Sequence, residues 1–344
     1  MNIYDHTLSG LAGVLKDEPA FRAKQIYKWL FAGTAVEEMT NIPKALREKL
    51  KANYYTDLPR IYTKLVSKID GTVKYLFLME DGAGIESVVM PYKHGLTICV
   101  STQVGCRMGC SFCASTVDGL LRNLTAGEIA GQVLAAQKDL GKPIRHIVMM
   151  GSGEPLDNFD NVMTFLENAM HEEGMGISAR HITLSTCGLI DGIRRLEEKH
   201  LKINLAISLH APTDALRRRI MPVAKSTTVE ALTESCVDYF RSSGRRITFE
   251  YALIRDVNDR KEHAMLLAKL LKKDAEFHVN LIPVNSIREK AYQKSERHAV
   301  AEFAEILKKA GIEATVRRKM GADINAACGQ LRKTVLDETK GNSK

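Results

Sequence analysis

The chain carries a single tryptophan, no low-complexity tract and no run near the roughly 18 consecutive apolar residues that would span a bilayer. Its opening, MNIYDHTLSG, has neither the basic head nor the apolar stretch of a secretory signal. The expectation is a cytoplasmic protein. In that compartment stable disulfides are rare, and clustered cysteines more often bind metal or do redox chemistry. At 344 residues the chain buries a substantial core without disulfide staples. No apolar heptad or interface stripe appears, so a monomer is expected. Trp29 stands in a helical run, IYKWLF, where packing against a core is favoured over stacking on a base.

Positive charge is what the chain has in excess. A net charge of +8 and a pI near 9.0 tilt the expected partner toward a polyanion, because each Lys or Arg set on a phosphate displaces condensed counterions. The local runs Arg217-Arg218-Arg219, Arg245-Arg246 and Arg317-Arg318-Lys319 read individually as solvated helix or strand faces.

Residues 18–52 place apolar side chains at helical spacing, with breaks near Gly33 and Pro43, and predict two or three short helices within an N-terminal domain at 1–60. IYTKLVSKID, VKYLFLME and IESVVMPY follow as strand-like runs separated by Asp70-Gly71 and Asp81-Gly82, the signature of hairpins, and make a β-rich connection at 61–91. From 92 to 321 strand and helix alternate. LTICVS, HIVMM, HITLS, INLAIS, ITFEYALI and HVNLIPV are separated by helix-like segments, with EATVRRK as a seventh short run. Six β/α units imply an α/β fold with a parallel sheet, either doubly wound or curved into a partial (β/α)6, TIM-like barrel. Residues 322–344 form a loop and polar tail.

The unusual polar motifs directly follow strands: Cys106 to Cys113 after LTICVS, Gly151-Ser152-Gly153-Glu154-Pro155 after HIVMM, Ser185-Thr186-Cys187 after HITL, Ser208-Leu209-His210 after NLAI, and Asn285 after LIPV. Ligand sites of parallel α/β proteins lie at those carboxyl ends, so the five motifs are expected to share one pocket.

Four of the seven cysteines fall within fifteen residues, CVSTQVGCRMGCSFC, starting at Cys99. Cys106, Cys110 and Cys113 stand in a C-x3-C-x2-C pattern, with Gly105 and Gly109 letting the backbone curl so that three sulfurs can point inward. A zinc site usually wants a fourth ligand and paired knuckles, which this spacing does not supply. Three cysteines suit a cubane iron-sulfur cluster that keeps one iron without a protein ligand. Cys187 and Cys236 read as packing residues, and Gly153-Glu154 as a tight turn presenting a carboxylate to a cationic ligand.

CxxxCxxC after the first strand of a β/α series resembles the radical S-adenosylmethionine (radical SAM) superfamily. The longer text CVSTQVGCRMGCSFCAS, with GSGEPLDN, LSTCGL, LAISLHAP, LIPVN, GADINAACGQL and the N-terminal FRAKQIYKWLF, resembles the RlmN/Cfr family of RNA adenine methyltransferases, in particular its adenine-C2 branch acting on 23S rRNA and tRNA. That resemblance implies a 4Fe-4S cluster on Cys106, Cys110 and Cys113, and SAM contacts at Gly153, Glu154, Ser185, Ser208, Leu209, His210 and Asn285. It implies that Cys328 is S-methylated by one SAM, that a 5'-deoxyadenosyl radical from a second SAM takes hydrogen from that methyl group, and that the resulting radical adds to carbon 2 of adenine. Glu86 matches the proton acceptor, although spacing alone would make it an exposed strand residue. Cys99 matches the partner that resolves the adduct through a transient Cys99-Cys328 disulfide. A reducing protein such as flavodoxin or ferredoxin is implied as electron donor.

An adenine in folded RNA must leave its stack before carbon 2 can meet a cysteine, and the basic balance with a helical N-terminal domain fits gripping RNA by shape and phosphate. Ser152 departs from the family, which generally has Met there; altered packing beside SAM is expected, with activity retained. Two rivals stand. The Cfr branch methylates carbon 8 of the same rRNA adenosine and confers antibiotic resistance; it commonly carries a cysteine where Val104 stands, which favours carbon 2. The other is a zinc-stabilised RNA-binding module without catalysis.

Overall fold

The computed structural model describes residues 1–284, 292–324 and 326. Three helices come first, α1 (Leu8–Val14), α2 (Phe21–Phe31) and α3 (Lys44–Asn53). Three antiparallel strands follow, β1 (Arg60–Val66), β2 (Val73–Leu78) and β3 (Gly84–Tyr92), turning at Gly71 and Gly82 as their Asp-Gly pairs predict. Strand β4 (Gly95–Cys99) opens the parallel series. A small hairpin, β5 (Gln103–Gly105) with β6 (Leu120–Asn123), then brackets the cysteine loop. This hairpin has no periodic signature, because its strands are too short to alternate visibly.

The α/β repeat continues as α4 (Ala126–Leu140), β7 (Ile144–Met149), α5 (Phe159–Met170), β8 (Ile182–Thr186), α6 (Ile190–Glu198) and β9 (Asn204–Ser208). It closes with α7 (Asp214–Ile220), α8 (Val229–Ser243), β10 (Ile247–Leu253), α9 (Lys261–Leu271), β11 (Phe277–Pro283), α10 (Arg297–Lys309) and β12 (Glu313–Val316). Helix α4 shows why these segments start where they do: Thr125 and Glu128 form a reciprocal capping box, and Gly141 ends the helix in the left-handed region.

One ten-stranded sheet results, in the order β1-β2-β3-β4-β7-β8-β9-β10-β11-β12. Strands β4 and β7 to β12 are parallel neighbours, the open barrel the sequence predicts. The antiparallel strands extend that sheet through β3 against β4. The N-terminal helices share the barrel's apolar core: Ile3, Tyr27, Leu30 and Phe31 belong to the same buried cluster as Ile129 and Phe165. Buried polar contacts fix the docking, with Tyr27 Oη donating to Asn168 Oδ1 (2.8 Å) and Gly127 N to Asp5 Oδ1 (2.8 Å). Trp29 packs against this core and donates from Nε1 to Asn41 Oδ1. No helix among the described residues is long and apolar enough to cross a membrane.

Candidate active site at the barrel mouth

Residues opposite one another in the sheet share a face. Leu184, Leu205, Ile207 and Phe249 are fully buried against the helices, so the alternate residues look into the barrel. Ser185 stands opposite Ala206, and Ala206 opposite Thr248; Ser208 stands opposite Glu250, and Glu250 opposite Asn280. A cavity of about 610 Å³ follows this face, lined by Met150, Thr183, Asn204, Thr248, Glu250 and Asn280 among others.

Gly105 makes the cysteine loop possible. Its φ of +80° and the 1.9 Å that would separate a Cβ from the Gly119 carbonyl oxygen admit no side chain. The loop is tied inside by Thr116 Oγ1, which donates to the carbonyls of Cys110 (3.1 Å) and Cys113 (3.0 Å), and outside by Ser111 N to Ile220 O (2.9 Å). Burial pushes the Cys106 thiol up to about 11; burial, then Cys113 and Cys106, push Cys110 up to about 12. Thiols whose ionisation burial resists give up their protons when a metal takes them as thiolates, and soft thiolates suit iron-sulfur chemistry. Among the described residues no three His, Cys, Asp or Glu side chains meet around one point as a single ion requires. As a donor set, three thiolates fit a cluster with one iron free of a protein ligand.

The glycine turn after β7 is stitched to this loop. Thr102 N and Gln103 N donate to the Ser152 carbonyl (2.8 and 3.2 Å), Ser152 Oγ reaches Gly105 O (3.4 Å), and Glu154 N donates to Gln103 Oε1 (2.8 Å). Gly153 has φ +105°, and a Cβ there would lie 2.6 Å from Gln103 Cβ. The expectation of an exposed carboxylate needs correction. Glu154 is only 3 % exposed, and its oxygens accept from Leu156 N (3.1 Å) and Cys187 N (2.7 Å), so it joins the ends of β7 and β8. Burial raises its pKa despite those bonds. The side chains of Thr186 and Cys187 also donate to it.

Arg217 departs furthest from expectation. It is a fully buried side chain, not a solvated one: Nε donates to Leu209 O (3.2 Å), and Nη2 to Cys187 O (2.6 Å) and Ser208 O (3.4 Å). Its neighbours Arg218 and Arg219 are exposed, as expected. Leu209 turns its side chain into the core and offers the pocket its backbone alone. His210 has a left-handed backbone (φ +57°), accepts from Ala252 N at Nδ1 (2.9 Å) and meets Phe112 edge-on. Burial, then Arg217, pushes its pKa down to about 3, so the ring is neutral with its proton on Nε2. Cys236 is buried in the main core, while Cys187 packs in a small apolar cluster against Met108, Cys110 and Phe112.

Cys99 stands opposite Val88 on β3 and Val148 on β7, and thus faces the barrel interior. Glu86, two residues from Val88, shares that face. It is 8 % exposed, not the open strand residue its spacing predicts, and pairs with the buried Lys74 (Nζ to Oε1 3.5 Å). Cys328 and Asn285 lie outside the described residues.

Residues 100–268 match the radical SAM superfamily, and residues 1–55 match the ribosomal RNA large subunit methyltransferase N-terminal domain. A probable dual-specificity RNA methyltransferase RlmN of Clostridium novyi (strain NT) is 52 % identical over 339 residues, covering 97 % of this chain and 98 % of that protein. The chain belongs to the RlmN family of radical SAM RNA methyltransferases. The RlmN protein of Alkaliphilus metalliredigens (strain QYMF) is 55 % identical over 322 residues, covering 93 % and 91 % of the two chains. The crystal structure of a radical SAM methyltransferase from Sphaerobacter thermophilus superimposes with a TM-score of 0.92 at 42 % identity, covering 96 % of this chain and 99 % of that one. Full-length kinship to RlmN enzymes sets aside the non-catalytic zinc module.

Three polar residues of the site escaped the RlmN-like motifs. Glu250 is 5 % exposed on the barrel face, accepts from Asn280 Nδ2 (2.8 Å), and has its pKa raised by burial against the opposing effect of Arg317. A carboxylate inside the apolar run ITFEYALI was the available signal. Arg217 had none, since its run of three arginines hides which one the helix turns inward.

Proposed function

We propose that the chain methylates carbon 2 of adenosine in 23S rRNA and in tRNA, next to the anticodon in the latter and at the peptidyl transferase centre in the former. The observation that carries this reading is the convergence of the cysteine loop, the Gly153-Glu154 turn and the ends of β8 and β9 on one barrel mouth, in a chain about half identical to RlmN proteins over its whole length. The named relatives favour carbon 2 over the carbon 8 alternative.

Carbon 2 bears a hydrogen that no side chain removes readily, so the radical chemistry must come from a cofactor. Cys106, Cys110 and Cys113 would hold a 4Fe-4S cluster, which when bound supplies the electron that cleaves SAM. Gly153, Glu154, Ser185, Ser208, the Leu209 backbone, His210 and Asn285 hold SAM, with two SAM molecules consumed per turnover. Glu154 offers its negative charge to an ammonium group, and neutral His210 offers its Nε2 proton as a donor.

Cys328 is the nucleophile that carries the methyl group and, through it, becomes bonded to carbon 2. Radical addition makes carbon 2 tetrahedral and leaves one unpaired electron, which the cluster would take back, and Glu86 then accepts the carbon 2 proton. Cys99 Sγ, as the thiolate, then attacks Cys328 Sγ: the bond from that sulfur to the transferred carbon breaks, that carbon keeps the electron pair and takes a proton to become the methyl group, a disulfide forms, and an external thiol must reduce it before the next turnover. The division into a helical RNA-gripping segment at 1–60, a strand connection at 61–91, a radical SAM core at 92–321 and a terminal loop at 322–344 belongs to this reading, as do a monomeric cytoplasmic enzyme and an electron donor such as flavodoxin or ferredoxin.

Cys99→Ala tests the reading. Incubated with RNA, SAM and reductant, it is expected to accumulate a covalent adduct through Cys328, seen as a shifted band whose peptide carries the RNA fragment. A variant that holds cluster and SAM yet traps no adduct would contradict the resolving role.

A further inference from the structure

Helix α7 carries one cation into the interior beside the cysteine loop. Arg217 is 0 % exposed, and although Nε and Nη2 donate to the carbonyls of Leu209, Cys187 and Ser208, Nη1 is buried with no hydrogen-bond partner among the described residues. No carboxylate there pairs with it. Asp214, earlier on the same helix, is engaged elsewhere: Oδ1 accepts from Val229 N (2.6 Å), and Oδ2 pairs with Arg218 Nη2 (3.6 Å). Carbonyls orient a guanidinium but neutralise no charge, and the group stays charged in proteins. A buried cation without a counter-ion is costly.

The neighbours of this cation are sulfurs. Leu216, Ile220 and Met221 pack with Cys187, Met108 and Cys110 in one small apolar cluster. Ser111, next to Cys110, donates from N (2.9 Å) and from Oγ (3.2 Å) to the carbonyl of Ile220, the last residue of α7. A Cβ at Gly109 would lie 3.3 Å from Pro222 Cγ, so the helix end and the cysteine loop are in direct contact. Burial pushes the Arg217 pKa down, and Cys187 and Cys110 oppose that ahead of Asp214. Of these sulfurs, Cys110 is the one that gives up its proton to a cluster.

We propose that the Arg217 guanidinium is the buried counter-charge of the iron-sulfur cluster and raises its reduction potential. This rests on the reading of Cys106, Cys110 and Cys113 as the cluster site. Three thiolates make such a cluster anionic, and the electron it takes from a donor adds another negative charge. A fixed cation beside it favours the more negative state, since net charge is among the factors that set these potentials. Being buried, this cation is screened little by salt. The bonds to Cys187, Ser208 and Leu209 hold the guanidinium in place, and its charge acts through Cys110.

The test is the midpoint potential of the cluster-loaded chain without SAM, titrated anaerobically with dithionite and redox mediators and read by electron paramagnetic resonance of the reduced cluster. One electron passes from dithionite to the cluster, and no bond in the protein forms or breaks. Arg217→Met is expected to lower the equilibrium constant for reduction at least tenfold, a shift of about 59 mV to more negative potential for one electron. Arg217→Lys keeps the charge without the planar fork and is expected to stay closer to wild type. A potential does not depend on the loaded fraction, so a variant that takes up little cluster still reports it. If Arg217→Met takes up none, Arg217→Gln reads the same loss of charge, and loading that survives only in Arg217→Lys supports the counter-charge as well. A purely structural role would lower the melting temperature and leave the potential unchanged. That result would overturn the proposal, as would equal shifts in Arg217→Lys and Arg217→Met, or loss of the cluster from all three variants, because geometry and not charge would then be what the loop needs. A wild-type chain that takes up no iron-sulfur chromophore would overturn the cluster reading, and the role of Arg217 with it.

Discussion

Lys74 and Glu86 form an ion pair inside the sheet, Nζ to Oε1 3.5 Å, with side chains 1 % and 9 % exposed. Removing one partner of such a pair costs about 3–5 kcal/mol, because the remaining charge stays in a poorly solvating interior. Lys74→Met is therefore expected to destabilise the chain by about that much in urea unfolding, and Lys74→Met with Glu86→Leu by clearly less. If the double variant is as unstable as the sum of the singles, the two side chains are not energetically coupled.

His210 gives the stability of the chain a pH dependence of definite sign. Its pKa is pushed down to about 3 in the fold, while an unfolded histidine titrates near 6.5. Between those values the unfolded state binds the extra proton. The contribution is thus fully present above about pH 6.5 and is lost as pH falls toward 3. Asn tolerates the left-handed backbone at this position. The urea midpoint of wild type relative to His210→Asn should shrink between pH 7 and pH 4.5; an equal difference at both would show that His210 is protonated in the fold.

Arg217 ties the ends of β8 and β9 by donating to Cys187 O, Ser208 O and Leu209 O. Arg217→Met leaves those carbonyls without their charged donor and is expected to cost at least ~2 kcal/mol in unfolding free energy. It should also weaken SAM binding to the cluster-loaded chain, because the backbone at Ser208 and Leu209 loses its tie to Cys187. Arg217→Lys keeps a charge but not the planar fork, and should fall between the two. Unchanged SAM affinity in a folded Arg217→Met chain would exclude the residue from SAM binding.

The parallel series was legible because each strand is a short apolar run ended by a polar motif, and the four motifs within the described residues follow the carboxyl ends of β4, β7, β8 and β9. The C-x3-C-x2-C spacing singled out Cys106, Cys110 and Cys113, which the structure sets in one loop tied by Thr116. Burial of polar residues was not. Glu86 alternates as an outward strand residue would, and only the pairing of β2 with β3 brings Lys74, diagonal to it, within reach. Glu154 reads as a presented carboxylate until the backbone of Cys187 is brought to it by the adjacent strand. Arg217 is indistinguishable in sequence from Arg218 and Arg219, because helix phase relative to the barrel is set by tertiary packing. The hairpin β5–β6, and the bonds from Ser67 Oγ and Lys68 N to Asp323, connect residues that periodicity cannot.

The central claim is that this barrel mouth places a methyl group on carbon 2 of adenine. Its most direct test is tandem mass spectrometry, against nucleoside standards, of adenosines from 23S rRNA and tRNA treated with the cluster-loaded chain, SAM and reductant. The account predicts 2-methyladenosine in both RNAs, abolished by Cys328→Ala. Appearance of 8-methyladenosine instead, or of 2-methyladenosine that survives Cys328→Ala, would contradict it.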